Sequence, residues 1–144
     1  MRTAIHHVTV EFGDCDPANI VFYPNYYRWF DAASHHLFNQ AGLDDPHLQQ
    51  RYGAVGIPLM ETGSVYRRPA SVGDRLIVES CVTECGGKSL RIRHRILRDG
   101  ELLVEGFEIR FLGVRHPDDP KRLRAIPIPA DVCEALGCAS EPLP

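Results

Sequence analysis

The chain has 144 residues and a net charge of −3, which allows one domain with its own core and argues against nucleic acid as the main partner, since phosphate recognition leaves a clearly basic footprint. No run reaches the roughly 18 apolar residues of a membrane span, and Met1-Arg2-Thr3-Ala4 leads straight into a patterned segment with no apolar signal core, so a cytoplasmic protein with no membrane partner is expected. The five cysteines, Cys15, Cys81, Cys85, Cys133 and Cys138, are odd in number and form no Cys-x-x-Cys pair, which predicts reduced thiols rather than a disulfide framework.

Val8, Val10 and Phe12 alternate with His7, Thr9 and Glu11, the period of a half-buried strand. An Asp/Pro/Gly-rich turn ends it. Over 24–41 the apolar positions Tyr26, Trp29, Phe30, Ala33, Leu37 and Ala41 recur at helical spacing. Pro24 suits the first helical position and Gly42 the position just past the end. A loop at Asp44-Asp45-Pro46 follows, with a short helix predicted over 47–52 and strands over 57–68, 74–85, 88–98 and 101–113. In the third of these, Leu90, Ile92, His94 and Ile96 alternate with Arg91, Arg93 and Arg95, and Asp99-Gly100 supplies a two-residue hairpin turn. Phe107, Ile109 and Phe111 continue the alternation against Glu108 and Arg110.

From about residue 114 the chain carries Pro117, Pro120, Pro127, Pro129, Pro142 and Pro144, so an irregular tail is expected, with a short helix over 130–136. The order of strand, long helix and antiparallel strands predicts a single α+β domain over 1–144: a curved sheet wrapped around one long helix. Such a sheet has open edges and one helix covers only one side, so a homo-oligomer is expected.

The chemistry-bearing stretch is Glu11-Phe12-Gly13-Asp14-Cys15-Asp16-Pro17-Ala18-Asn19-Ile20-Val21-Phe22-Tyr23-Pro24-Asn25-Tyr26. Two carboxylates sit in a tight turn just before a helix start. A carboxylate attacks a carbonyl or activates water, and free N–H groups at a helix N-terminus hold the oxygen that becomes negative. Asp14 suits a structural role in the turn. Cys15 is flanked by carboxylates that disfavour its thiolate, and is read as a buried bystander. His6-His7 and His35-His36 are adjacent pairs that point in different directions, and no metal is assigned.

The segment from Glu11 to Ala33 closely resembles the active-site segment of the 4-hydroxybenzoyl-CoA thioesterase family of hot-dog-fold proteins. Weaker likeness extends through Gly56-Ile57-Pro58, Gly86-Gly87-Lys88-Ser89 and Arg122-Leu123-Arg124-Ala125-Ile126-Pro127-Ile128-Pro129-Ala130-Asp131. The resemblance implies a hot-dog fold, a dimer or homotetramer built as a dimer of dimers, and hydrolysis of an acyl-CoA thioester without metal or organic cofactor. By position it makes Asp16 the catalytic carboxylate, and the backbone N–H of Tyr23 the group that polarises the thioester carbonyl. In the same resemblance Lys88 and Ser89 match a loop that touches the nucleotide end of CoA in the family. The chain departs from the family at Asn19, where Gly is usual, and at Gly86-Gly87, where similar bacterial members carry an arginine pair. Asn is among the few residues that accept a left-handed backbone.

Around these positions, Asn25 and Tyr26 stand at the helix start as substrate-binding candidates or as packing groups. Glu61 fits a second carboxylate in the pocket or an exposed site. Arg91, with Arg93 and Arg95, fits a solvated sheet face or a landing site for CoA phosphates. The function expected is an acyl-CoA thioesterase acting on an aromatic, 4-hydroxybenzoyl-CoA-like substrate. The alternative is a non-catalytic acyl-CoA or acyl-carrier-protein binding module on the same fold.

Overall fold

The structure is a computed structural model and describes residues 2–138; Pro142 and Pro144 of the predicted tail lie outside them. Strand β1 (Thr3–Thr9) is followed by a 3-10 turn at Phe12–Asp14, helix α1 (Pro24–Gln40) and helix α2 (Asp45–Tyr52). Then come β2 (Leu59–Tyr66), β3 (Arg75–Gly86), β4 (Ser89–Arg98), β5 (Glu101–Arg110), β6 (Leu112–Arg115), β7 (Leu123–Ile126) and α3 (Ala130–Ala135). The first five strands form one antiparallel sheet in the order β1-β3-β4-β5-β2, with β1 and β2 as its edges.

Helix α1 forms where the apolar spacing places it, with Pro24 in its first turn and Gly42 at φ +76° just beyond its end. It lays Tyr26, Trp29, Phe30, Ala33, Leu37 and Phe38 against the sheet. Burying each large apolar side chain contributes about 1.5–3 kcal/mol, so this one face decides where the helix rests. The β4–β5 hairpin turns at Asp99 (φ 51°) and Gly100 (φ 80°), both left-handed as a type I′ turn requires.

Four expectations are corrected. The first strand ends at Thr9 rather than running through Phe12, whose ring is 84 % exposed on the 3-10 turn. On β5 the inward row is Val104, Gly106, Glu108 and Arg110, and the apolar-looking Phe107 and Ile109 lie half-buried on the opposite face. Inside, the two charged residues are fully partnered, and Gly106 leaves the space the Phe30 ring fills: a Cβ there would stand 2.5 Å from it.

The tail is not wholly irregular, because β6 and β7 pair as a second, two-stranded sheet with its prolines outside the paired residues. Finally, Cys85 at the end of β3 and Cys133 in α3 are joined in a disulfide, their Cα atoms 5.7 Å apart. Their separation of 48 residues has no local signature; packing of α3 on the end of β3 brings them together. Cys15 is half-buried, its thiol 3.8 Å from the Glu11 carbonyl.

Candidate active site

The turn after β1 is built almost entirely from its own backbone. Asp16 N–H donates to the Ile20 carbonyl and Asn19 N–H to the Asp16 carbonyl, both at 2.9 Å, and Cys15 bridges Val21. Closing so short a loop needs one left-handed residue, and Asn19 provides it at φ 65°. Val21 N–H then donates to the Ala70 carbonyl at 2.8 Å, which moors the far side of the loop to the core. Asp16 itself is half-buried. Its Oδ1 accepts from Ala18 N–H at 2.9 Å, a local Asx contact that orients the carboxylate. The group lines a cavity of about 360 Å³ with Phe12, Cys15, Pro17 and Asn19.

At the helix start the amides are sorted by geometry. Asn25 N–H turns back to the Phe22 carbonyl (2.9 Å) and Tyr26 N–H to the Tyr23 carbonyl (3.1 Å), while Pro24 has no N–H to offer. Among the described residues the Tyr23 N–H has no hydrogen-bond partner. It therefore sits at the positive end of α1 as a donor ready for an oxygen that gains charge. Beside it a second cavity of about 360 Å³ is walled by Ile20, Val21, Tyr23, Tyr26, Tyr66, Arg67, Arg68 and Pro69. Tyr26 is buried there, its ring 5.5 Å from Trp29 and 5.7 Å from Tyr66. Burial pushes its phenol above the usual range, against a backbone hydrogen bond with Ala70.

The remaining predicted residues lie elsewhere on the chain. The Asn25 Nδ2 donates to the Asp14 carbonyl at 2.8 Å, tying the turn to the helix. Glu61 is exposed on the edge strand β2, at an irregularity in its pairing with β5. Lys88 is exposed in the two-residue turn between β3 and β4, where Gly87 takes φ 57°, and Ser89 opens β4 opposite Gly86. Arg91 lies on the outer sheet face with its guanidinium 4.2 Å from the Phe107 ring centre. One protomer thus brings Asp16, the Tyr23 N–H and Tyr26 to the two cavities flanking one loop, and leaves Glu61, Lys88, Ser89 and Arg91 outside both. Among the described residues no group of three or more His, Cys, Asp or Glu side chains is placed to hold a metal ion, and no helix is long and apolar enough to cross a membrane.

Residues 10–136 match the model of the thioesterase-like superfamily. The chain belongs to that family. It is 41% identical over 133 residues, 87% of this chain and 91% of the relative, to 4-hydroxybenzoyl-CoA thioesterase from Pseudomonas sp. strain CBS-3. A crystal structure of a mutant 4-hydroxybenzoyl-CoA thioesterase with 4-hydroxybenzoyl-CoA bound superposes with a TM-score of 0.86 at 38% identity, covering 94% of this chain and 99% of the other. A gentisyl-coenzyme A thioesterase structure matches with a TM-score of 0.76 at 30% identity, covering 93% and 99%. The fold is the hot-dog fold, and the protein is an enzyme that hydrolyses acyl-CoA thioesters.

Sequence reasoning missed a buried polar network beneath α1 of this thioesterase. His94 Nε2 donates to Glu108 Oε1 at 2.8 Å, and its Nδ1 meets Ser80 Oγ at 2.6 Å. Ser34 on α1 donates to the same Glu108 oxygen. Arg110 donates to Glu108 Oε2 (2.7 Å), to the Ile57 carbonyl (2.8 Å) and outward to Asp31 Oδ1 (2.7 Å), while the Phe30 ring stacks on His94 at 4.8 Å. Burial works to raise the Glu108 carboxyl, but hydrogen bonds from His94 and Arg110 outweigh it and hold the group down at about 2. Ser80, His94 and Glu108 echo a serine–histidine–carboxylate relay, yet none is more than 2 % exposed, so no substrate reaches them. Their work is to lock α1 onto β3, β4 and β5. The available signal was His94 sitting in the apolar row of β4, which demanded a buried partner.

Proposed function

We propose that this thioesterase hydrolyses an aromatic acyl-CoA of the 4-hydroxybenzoyl-CoA kind to the free acid and CoA, with no metal or organic cofactor. In this reading Asp16 acts on the thioester and the Tyr23 N–H receives its carbonyl oxygen. The observation that carries it is the unpartnered amide at the start of α1, on the same short loop as a carboxylate that lines a cavity. A thioester is already activated. The Asp16 carboxylate either attacks the carbonyl carbon, expelling CoA thiolate and leaving a mixed anhydride for water to open, or takes a proton from the water that attacks. Both routes pile negative charge on the same oxygen, where the Tyr23 amide and the aligned peptide dipoles of α1 meet it.

The aromatic preference is supported by the tyrosine walls of the second cavity, Tyr23, Tyr26 and Tyr66, and by the 41% identical relative, which is named for 4-hydroxybenzoyl-CoA. Lys88, Ser89 and Arg91 take the nucleotide end of CoA in the same proposal, and Glu61 serves the pocket through an oligomer interface. The β2 edge has no strand beyond it, and Met60, Val65 and Tyr66 stand exposed along it. Pairing of two copies there continues the sheet, with a dimer as the minimal unit and a dimer of dimers above it. A cytoplasmic location belongs to the same reading.

The test is thiol release across a panel of aryl and alkyl CoA esters with wild type and Asp16→Asn. The aryl esters should lead in kcat/KM, and the variant should keep its circular dichroism spectrum while losing about a hundredfold or more in turnover. Near wild-type turnover in Asp16→Asn would overturn the mechanism.

A further inference from the structure

Every polar atom of Asp14 beyond its own N–H is engaged in fastening the Asp16 loop. Its Oδ2 accepts from Glu11 N–H (2.8 Å) and its Oδ1 from the Arg28 guanidinium (2.9 Å). Its carbonyl accepts from Phe22 N–H and from Asn25 Nδ2, both at 2.8 Å. Two of these four donors, Asn25 and Arg28, stand three residues apart on α1 and so share one helix face. We propose that Asn25 and Arg28 are positioning residues for thioester hydrolysis: through Asp14 they clamp the loop to the first turns of α1 and set the Asp16 carboxylate against the Tyr23 N–H.

The inference rests on the roles given above to Asp16 and Tyr23. Those two groups sit on opposite limbs of a loop whose limbs are joined by the Cys15–Val21 bridge and by the Asp16 N–H on the Ile20 carbonyl, and whose Val21 limb is moored by its contact with Ala70. Those bonds join limb to limb and limb to core, and none of them reaches α1. Among the described residues every hydrogen bond and ion pair from the limb that carries Asp16 to α1 runs through Asp14, with Cys15 adding only apolar packing, so slack at Asp14 shifts the carboxylate relative to the amide. A displacement of roughly 1 Å between reacting groups is enough to cost about a hundredfold in rate. Folding, in contrast, has little at stake: the Arg28 side chain is 64 % exposed, and an ion pair so open to solvent adds little to stability. A conserved fold with a slower chemical step is the signature that separates positioning from scaffolding.

The experiment compares Arg28→Ala, Arg28→Lys, Asn25→Ala and the Arg28→Ala/Asn25→Ala double variant with wild type, reading kcat, KM and the thermal midpoint. Expected is a fall in kcat of about ten- to a hundredfold in each alanine variant, with KM within about threefold and a thermal midpoint within a few degrees of wild type. Arg28→Lys, which keeps a cation for Asp14, should recover most of the loss. Because both residues act through Asp14, the double variant should lose less than the product of the single losses. If both alanine variants keep wild-type kcat, change KM alone, or lose activity only in step with thermal stability, the clamp is wrong. Asp16→Asn assayed alongside separates the two ideas: a retained turnover there sinks the Asp16 chemistry, whereas a dead Asp16→Asn beside fully active Arg28→Ala and Asn25→Ala sinks the clamp only.

Discussion

Asn19 shows how one backbone angle sets the geometry of the loop. Its φ of 65° lets Asn19 N–H reach the Asp16 carbonyl and lets Asp16 N–H reach Ile20. The departure from the family's usual Gly is absorbed because an Asn side chain tolerates the left-handed region. A β-branched side chain does not. Asn19→Gly should leave the thermal midpoint and turnover close to wild type, whereas Asn19→Val should lower stability by about 1–2 kcal/mol and slow hydrolysis as the loop opens. Calorimetry and a thiol-release assay check both, and an unchanged Asn19→Val would show that the loop does not depend on this angle. This residue was legible in the sequence because its requirement is local. The role of Asn25 was not, because its partner, the Asp14 carbonyl, lies across a turn whose shape the pattern of residue types does not encode.

Strand β5 makes the same point at the level of an element. Alternation alone suggests that Phe107 and Ile109 face the core, and the opposite row wins because Gly106 opens room for Phe30 while Glu108 and Arg110 find each other and partners on α1, on β4 and in the Ile57 carbonyl. Removing one member leaves a buried charge without its counterpart. Glu108→Ala should therefore cost about 3–5 kcal/mol, read as a drop in the denaturant midpoint. The carboxyl is depressed from 4.5 to about 2 in the folded chain, so its contribution is fully present above the unfolded value and is lost as pH falls from about 4.5 through about 2. Acid titration of stability should show that loss in wild type and a shallower slope in Glu108→Gln. Equal slopes in the two proteins would mean that Glu108 is not ionised in the folded state.

At the scale of the whole molecule, the sheet that cradles α1 ends in an unpaired β2 edge on one side and in β1 on the other. Along β2, Met60 is 61 % and Val65 is 55 % exposed, in a strand whose sheet neighbour among the described residues is β5 alone. Natural edges left open in this way are covered by another chain or blunted by charge. Sedimentation should give twice the chain mass or a higher even multiple, and Met60→Lys combined with Val65→Lys should shift it toward a single chain. A wild-type mass of one chain would remove the oligomer interface assigned to Glu61.

The helix, the hairpin at Asp99-Gly100, the loop carrying Asp16 and the family itself were readable from residue order, because each depends on contacts or angles within a few neighbours along the chain. Tertiary structure alone decided the inward row of β5, the buried His94–Glu108–Arg110 network, the Cys85–Cys133 bond and the grip of Arg28 on Asp14. Those features join residues on different elements, where the free energy comes from burial and partner satisfaction and not from local propensity.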